Sequence, residues 1–254
     1  MRRIVITWLF VAALVSGLYA QSGEVNLIAH RGGVVDEYTD ENSVAAVRKA
    51  ADQGYYMVEL DVRLTKDSVL VVHHDRDLVR FFNVDKKLND LFWEEVSVYE
   101  TANGHRMQKL EAMLQLCRKE GLQVMIDFKI EGKQPAVFEE VYSLLKTYEL
   151  DTEALIIPSE KATDYFRGRI KLSCTRAQVE AYQKRNDYSA AHYYLFTNPS
   201  VEDYQWAVRN NIQVVGAINY QKGIEEGYEE LASELKDLGV KYVQLDSQFA
   251  RFFK

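Results

Sequence analysis

Between residues 25 and 246 the chain repeats one pattern, a short apolar run of strand character followed by a longer run with helical apolar spacing. Strand-like runs fall at 25–30, 57–64, 69–74, 122–129, 154–158, 170–174, 192–197, 212–218 and 242–246. Helical patterns fall at 43–53, 92–98, 109–120, 135–148, 160–167, 176–186, 200–210 and 225–238. Gly54, Gly121 and Gly239 each sit just past a helical run, where a left-handed cap residue is favoured. Strands separated by helices run parallel with right-handed crossovers, because each connection packs its helix back onto the sheet. About eight repeats in roughly 230 residues predict an α/β fold, a (β/α)8 TIM barrel forming a single domain over 24–254. An open doubly wound sheet is the alternative. No G-x-G-x-x-G follows a strand and no G-x-x-x-x-G-K-[ST] occurs, so nucleotide cradles are not supported.

The 254 residues are 47% hydrophobic, enough to bury one large core. The formal net charge of −7 argues against nucleic acid as a partner, since binding a phosphate backbone needs a basic surface. The opening "MRRIVITWLFVAALVSGLYAQSG" has two arginines, an apolar run from Ile4 to Val15 and a small residue at Ala20. It predicts a signal peptide over residues 1–20 and an exported protein, periplasmic or secreted, with no stable membrane insertion after cleavage. An uncleaved signal anchor is the alternative. Cys117 and Cys174 are too few for a disulfide scaffold and read as two buried thiols, with a single disulfide left open.

The stretch "YYMVELDVRLTKDSVLVVHHD", residues 55–75, carries the most chemistry. In a strand Met57, Glu59, Asp61 and Arg63 share one face, and Val58, Leu60, Val62 and Leu64 the other. With the apolar face under helices, two carboxylates enter the barrel interior, and burying them is costly without compensation. "LQVMIDFKI" adds Asp127 and Lys129 on one face of another strand. Three oxygen donors with no cysteine suit one hard divalent cation, Mg2+ or Ca2+, with Mn2+ also admissible. His73 and His74 are adjacent, so only one can face those acids. His105 and His192 have no chemical company nearby in sequence and read as structural. Tyr188, Tyr193, Tyr194 and Tyr220 either line a pocket or fill the barrel and its helix interface.

The motifs "AHRG", "ENS", "ELDVRLTKDSVLVVHHD" and "IDFK", in this order and spacing, resemble the glycerophosphodiester phosphodiesterase family, a (β/α)8 barrel family related to phosphatidylinositol phospholipase C. The likeness covers residues 26 to about 130 closely and the remainder through "IQVVGAIN" and "LGVKYVQLD". It implies His30 and His74 as catalytic histidines and Glu59, Asp61 and Asp127 as metal ligands. It also implies Arg31 and Lys129 as groups holding the substrate phosphate, with Glu41 as a supporting residue. Asp40 stands where that family has proline, and Asp127 replaces the commoner glutamate in a form that resembles the sphingomyelinase D branch. Gly216 and Ala217 fall where a Trp-Thr pair usually begins, so extra room is expected there.

The implied activity is metal-dependent hydrolysis of a small phosphodiester to glycerol 3-phosphate and an alcohol. Three carboxylates, a divalent cation, Arg31 and Lys129 leave one net positive charge to meet one phosphodiester anion. One histidine acts as base and the other as acid, and the nucleophile is water or the neighbouring glycerol hydroxyl. The alternatives are a lysophospholipase D-like or phosphoinositide-cleaving activity on the same site, or a barrel that binds without turnover. A glycosidase is disfavoured, because Glu59 and Asp61 on one strand sit too close to flank a sugar bond.

Overall fold

The computed structural model describes residues 24–132, 134–159 and 162–254; the leader expected over residues 1–20 lies outside them. Twelve strands are formed among the described residues: β1 (Asn26–Ala29), β2 (Met57–Leu64), β3 (Leu70–Val72), β4 (Asp77–Leu78), β5 (Val84–Lys87), β6 (Gln108–Lys109), β7 (Gln123–Phe128), β8 (Leu155–Ile157), β9 (Lys171–Cys174), β10 (Tyr193–Phe196), β11 (Gln213–Ile218) and β12 (Tyr242–Leu245). The α-helices are α1 (Val44–Asp52), α2 (Val79–Phe82), α3 (Trp93–Val96), α4 (Leu110–Lys119), α5 (Pro135–Thr147), α6 (Thr163–Phe166), α7 (Arg176–Tyr182), α8 (Val201–Arg209) and α9 (Tyr228–Leu238). Strands β1, β2, β7, β8, β9, β10, β11 and β12 pair in parallel, and β1 pairs with both β2 and β12, which closes an eight-stranded barrel.

The two faces of each barrel strand do different work. Val58, Leu60 and Val62 of β2, with Val124 and Ile126 of β7, point outward into the layer under the helices. Ile28, Met57, Met125, Leu155, Tyr194 and Val215 point inward and plug the barrel below its mouth. Helices cover the outside with one apolar stripe each; α4 buries Leu110, Met113, Leu114 and Cys117, at the i, i+3, i+4, i+7 spacing of one face. Cys117 and Cys174 are both buried and unpaired, as two thiols, and burial pushes them up to about 12 and about 11.

One expected strand is not part of the barrel. The run at 69–74 forms β3, which pairs antiparallel with β2 and with β6. Together with β4, α2, β5 and α3 it belongs to an insertion between β2 and α4. This insertion has its own core of Val71, Leu78, Phe82, Leu88, Leu91, Val96 and Met107. The helical pattern at 92–98 is the short α3 of this insertion; of that at 160–167, residues 160 and 161 lie outside the described residues and the remainder forms α6.

The turn after β1 is sterically tight. Arg31 has φ 51° and ψ 49°, an uncommon left-handed conformation for a residue with a side chain. Gly33 follows at φ 140°, and a Cβ there would lie 2.2 Å from the Ala46 carbonyl oxygen of α1. At Gly54 (φ 75°) a Cβ would meet nothing within 4 Å. Gly33→Ala is therefore expected to lower the unfolding free energy by about 2 kcal/mol or more, through backbone clash added to conformational strain. Gly54→Ala should lose only the conformational part, about 1–2 kcal/mol. Urea midpoints of the two variants check this, and equal losses would contradict it.

Candidate active site

The acids meet at the C-terminal end of the barrel because two strands are in register. Asp61 of β2 is paired directly with Asp127 of β7, and Glu59 lies two residues earlier on the same inward face. One oxygen from each of the three lies within 4.8 Å of the others. Glu59 and Asp61 are each only 1% exposed. Burial, with repulsion from Asp61 and Asp127, pushes the Glu59 carboxyl well above the usual range. Burial raises Asp127 as well, against the opposing hydrogen bond from Lys129. Glu59 Oε1 is buried with no hydrogen-bond partner. A buried acceptor without a donor, among three mutually repelling oxygen donors, is the arrangement that a hard divalent cation stabilises. The residues present fit such an ion.

The contacts the triad does make are all to donors. Arg31 N donates to Glu59 Oε2 at 2.8 Å, and Asn42 Nδ2 donates to Asp61 Oδ2 at 3.1 Å. Lys129 Nζ donates to Asp127 Oδ2 at 2.5 Å and lies 3.4 Å from Asp61 Oδ1. Burial alone would lower the Lys129 pKa, but its bond to Asp127 and the fields of all three acids outweigh this and raise it.

Both histidines expected at the site are present there, in matching arrangements. His30 Nδ1 lies 2.7 Å from Asp246 Oδ1, and His74 Nδ1 lies 2.7 Å from Asp75 Oδ1. A carboxylate only accepts, so each Nδ1 carries a proton and each Nε2 is the ring nitrogen left free to exchange a proton at the site. His30 Nε2 lies 4.0 Å from Glu59 Oε2, and His74 Nε2 lies 3.4 Å from Arg31 Nη2. Burial would raise Asp246, but the hydrogen bond from His30 and that from Tyr220 N bring it below the ordinary value. His73 points away: Nε2 meets the Asp77 carbonyl at 3.0 Å and the ring packs against Phe81 and Phe82. His105 and His192 are outside this cluster.

Glu41, Asn42 and Ser43 each have a separate task. Glu41 Oε2 accepts from Arg31 Nη1 at 2.9 Å, Asn42 reaches Asp61, and Ser43 Oγ accepts from Ala46 N as the N-cap of α1. The proline-free stretch before them is held by side chains. Lys49 Nζ donates to Asp36 and Thr39, and Asp40 accepts from Thr101 Oγ1 and Asn103 Nδ2 of the insertion. Gly216 does not enlarge the site as expected. Its missing side chain faces Leu235 of α9, at 2.9 Å from a built Cβ, and Ala217 is the neighbour on the inward face. Of the tyrosines, Tyr193 stacks with Tyr182 and Tyr188 under the helices, Tyr194 fills the barrel, and Tyr220 lies exposed at the mouth.

An eight-stranded barrel with acids, paired histidines and cations gathered at the C-terminal strand ends is an α/β-barrel enzyme scaffold. Residues 30–244 match the glycerophosphoryl diester phosphodiesterase family, and the chain belongs to that family. It is 35% identical over 114 residues to glycerophosphodiester phosphodiesterase 1 of Mus musculus, covering 41% of this chain and 34% of that protein. It is 30% identical over 139 residues to a glycerophosphodiester phosphodiesterase of Caldanaerobacter subterraneus, covering 51% of this chain and 56% of that protein. The chain thus matches about a third to just over half of the length of these relatives. A glycerophosphodiester phosphodiesterase structure from Parabacteroides distasonis superposes with a TM-score of 0.69 at 19% identity, over 91% of this chain and 98% of that one. A phosphodiesterase from Oleispira antarctica, in complex with the product sn-glycerol-3-phosphate, does so with a TM-score of 0.71 at 19% identity, over 88% and 94%. Both share the fold.

Three residues of the site have roles that the sequence did not assign to them. Asp246 directly follows the last barrel strand, 216 positions from the histidine it binds. Asn42 reaches Asp61 from a loop. Arg80 of α2 grips two carboxylates at once: Nε and Nη2 donate to Asp75 at 2.6 and 2.9 Å, and Nη1 and Nη2 donate to Glu41 at 3.0 and 2.8 Å. It thereby links the acid that orients His74 to the acid that holds Arg31. Burial would raise Asp75, but the hydrogen bonds from Arg80 and His74 hold it well below its ordinary value of 3.8. A depressed carboxyl pKa stabilises the fold above the unfolded value, and this contribution is lost as pH falls. Arg80→Ala is expected to lower the urea midpoint at pH 7, with the gap to the parent protein closing below about pH 4. A gap unchanged between pH 7 and pH 3 would contradict it.

Proposed function

We propose that the chain is a metal-dependent phosphodiesterase that hydrolyses glycerophosphodiesters to glycerol 3-phosphate and an alcohol. The observation that carries this reading is the convergence of the acid triad, two Nδ1-anchored histidines, Arg31 and Lys129 on one barrel mouth, in a chain of this family. Glu59, Asp61 and Asp127 would hold one hard cation, Mg2+ or Ca2+, with Mn2+ compatible with the same oxygen donors. When bound, that cation supplies positive charge to the phosphoryl oxygens.

Arg31 is the group best placed to bind phosphate, since its guanidinium is anchored by Glu41 and lies beside His74. Lys129 balances the acids and adds a second positive charge close by. One histidine takes a proton from the attacking water at Nε2, and the other delivers a proton from Nε2 to the departing alkoxide. A bond forms from water oxygen to phosphorus and the ester bond to the alcohol breaks. Asp246 and Asp75 keep each ring in the tautomer this needs and stabilise its protonated form.

The test is release of glycerol 3-phosphate from a panel of glycerophosphodiesters, with and without chelator. Chelator-sensitive release is expected, with a bell-shaped pH profile of kcat/KM. His30→Ala and His74→Ala should each lower kcat by about 10²–10⁴-fold with unchanged circular dichroism. Release of lysophosphatidate from lysophospholipids, with no action on the deacylated panel, would redirect the reading to a lysophospholipase D-like activity. Binding without turnover would make the chain a binding barrel.

We also propose that the protein is exported and cleaved after Ala20. Among the described residues no helix is long and apolar enough to cross a membrane. Mass spectrometry of the protein from its native envelope reads the N-terminus, and an intact Met1 would refute cleavage.

A further inference from the structure

A second cavity opens beside the acid triad and shares Lys129 with it. It has a volume of about 290 Å³ and is lined by Arg63, Arg76, Lys87, Lys129, Asn89 and Glu131, among others. Four of these side chains are cationic and one is anionic, on a chain whose formal net charge is −7. Such a concentration of one sign raises the local concentration of the opposite one.

Two of the cations, Arg76 and Lys87, are poorly neutralised by the protein, whereas Lys129 is paired with Asp127 and Asp61. Arg63 is partly buried, and its Nε and Nη2 both donate to the neutral carbonyl of His74, at 2.9 and 2.7 Å. Among the described residues Arg63 forms no ion pair, and the Lys87 side chain makes neither a hydrogen bond nor an ion pair. Arg63 feels the attraction of Asp61, Asp75 and Asp127 together with repulsion from Arg76. The one carboxylate partner of Arg76, Glu131 at 2.7 Å, is as exposed as Arg76 itself, both at 76%. An exposed pair of this kind is worth little and exchanges readily for a better anion. Asn89 adds an uncharged hydrogen-bonding group to the wall.

We propose that this cavity is a second anion subsite, which receives a phosphomonoester carried on one ester arm of the phosphodiester substrate. The volume is just under the range of about 300–1,000 Å³ typical of small-ligand pockets, enough for a phosphorylated head-group substituent, and the cationic lining favours a phosphate over an acyl chain. Lys129 lies between the two sites and ties the subsite to the reaction centre. The inference rests on the phosphodiesterase reading and names a substrate class for it, a glycerophosphodiester with a second phosphate.

The test uses glycerophosphoinositol and its 4-phosphate, which differ by one phosphomonoester. Hydrolysis is measured with the intact protein, and binding is measured separately by calorimetry on His30→Ala. The wild type should favour the 4-phosphate about tenfold in kcat/KM, and the His30→Ala protein about tenfold in affinity. Both preferences should narrow as salt rises and screens the charges. Arg76→Ala with Lys87→Ala should abolish the preference and leave the rate on glycerophosphoinositol unchanged. Equal treatment of the two ligands, or a preference that survives the double substitution, overturns the subsite. Inorganic phosphate is the third arm. If it binds in an Arg76- and Lys87-dependent way while the 4-phosphate gains nothing, the cavity serves a free anion and the substrate assignment is overturned. Binding of the 4-phosphate with the expected preference, without hydrolysis of either ester, would refute the phosphodiesterase reading and leave the subsite standing.

Discussion

Three carboxylates held within 4.8 Å of one another, two of them nearly sealed from water, are the constraint around which the barrel mouth is organised. Repulsion and burial both oppose their ionisation, and the protein answers with donors from three directions. These are the Arg31 backbone, the Asn42 amide and the Lys129 ammonium. None of them satisfies Glu59 Oε1. The mouth is therefore built for an additional positive charge, and the left-handed Arg31 and the glycines behind it are arranged so that a backbone N–H can reach Glu59.

Around this centre lies a ring of oriented side chains. Each histidine is held through Nδ1 by its own aspartate, one just past the last barrel strand and one from the insertion after the second. The insertion is more than a decoration of the connection. Its small apolar core supports α2, and from α2 Arg80 fastens the carboxylates that aim His74 and Arg31. The loop after the HRG turn is tied to the same insertion through hydrogen bonds from Thr101 and Asn103 to Asp40. The acidic stretch before Glu41 is thus a structural clasp between two loops at the mouth.

Most of the scaffold was legible because its signals are local. Strand runs are apolar on both faces or alternate with period two, helices carry one apolar stripe, and the barrel strands and the helices that cover them fall within a few residues of the expected positions. The run at 69–74 misled only in partnership. Its composition is that of a strand, but whether a strand pairs in parallel within the barrel or folds back in a hairpin depends on the connection, not on its residues. Gly216 misled for a related reason: a one-residue change of face turns room in the site into contact with α9.

The sequence by itself determined the barrel, the inward face of β2 with Glu59 and Asp61, and the residue types required for phosphodiester chemistry. Those properties follow from periodicity and from motifs a few residues long. Only the tertiary structure decided that Asp61 and Asp127 stand side by side, that Asp246 orients His30, that Arg80 joins Asp75 to Glu41, and that a cationic cavity opens beside Lys129. Strand register and loop packing bring these groups together across tens to hundreds of residues. No local pattern in the chain encodes a distance of that kind.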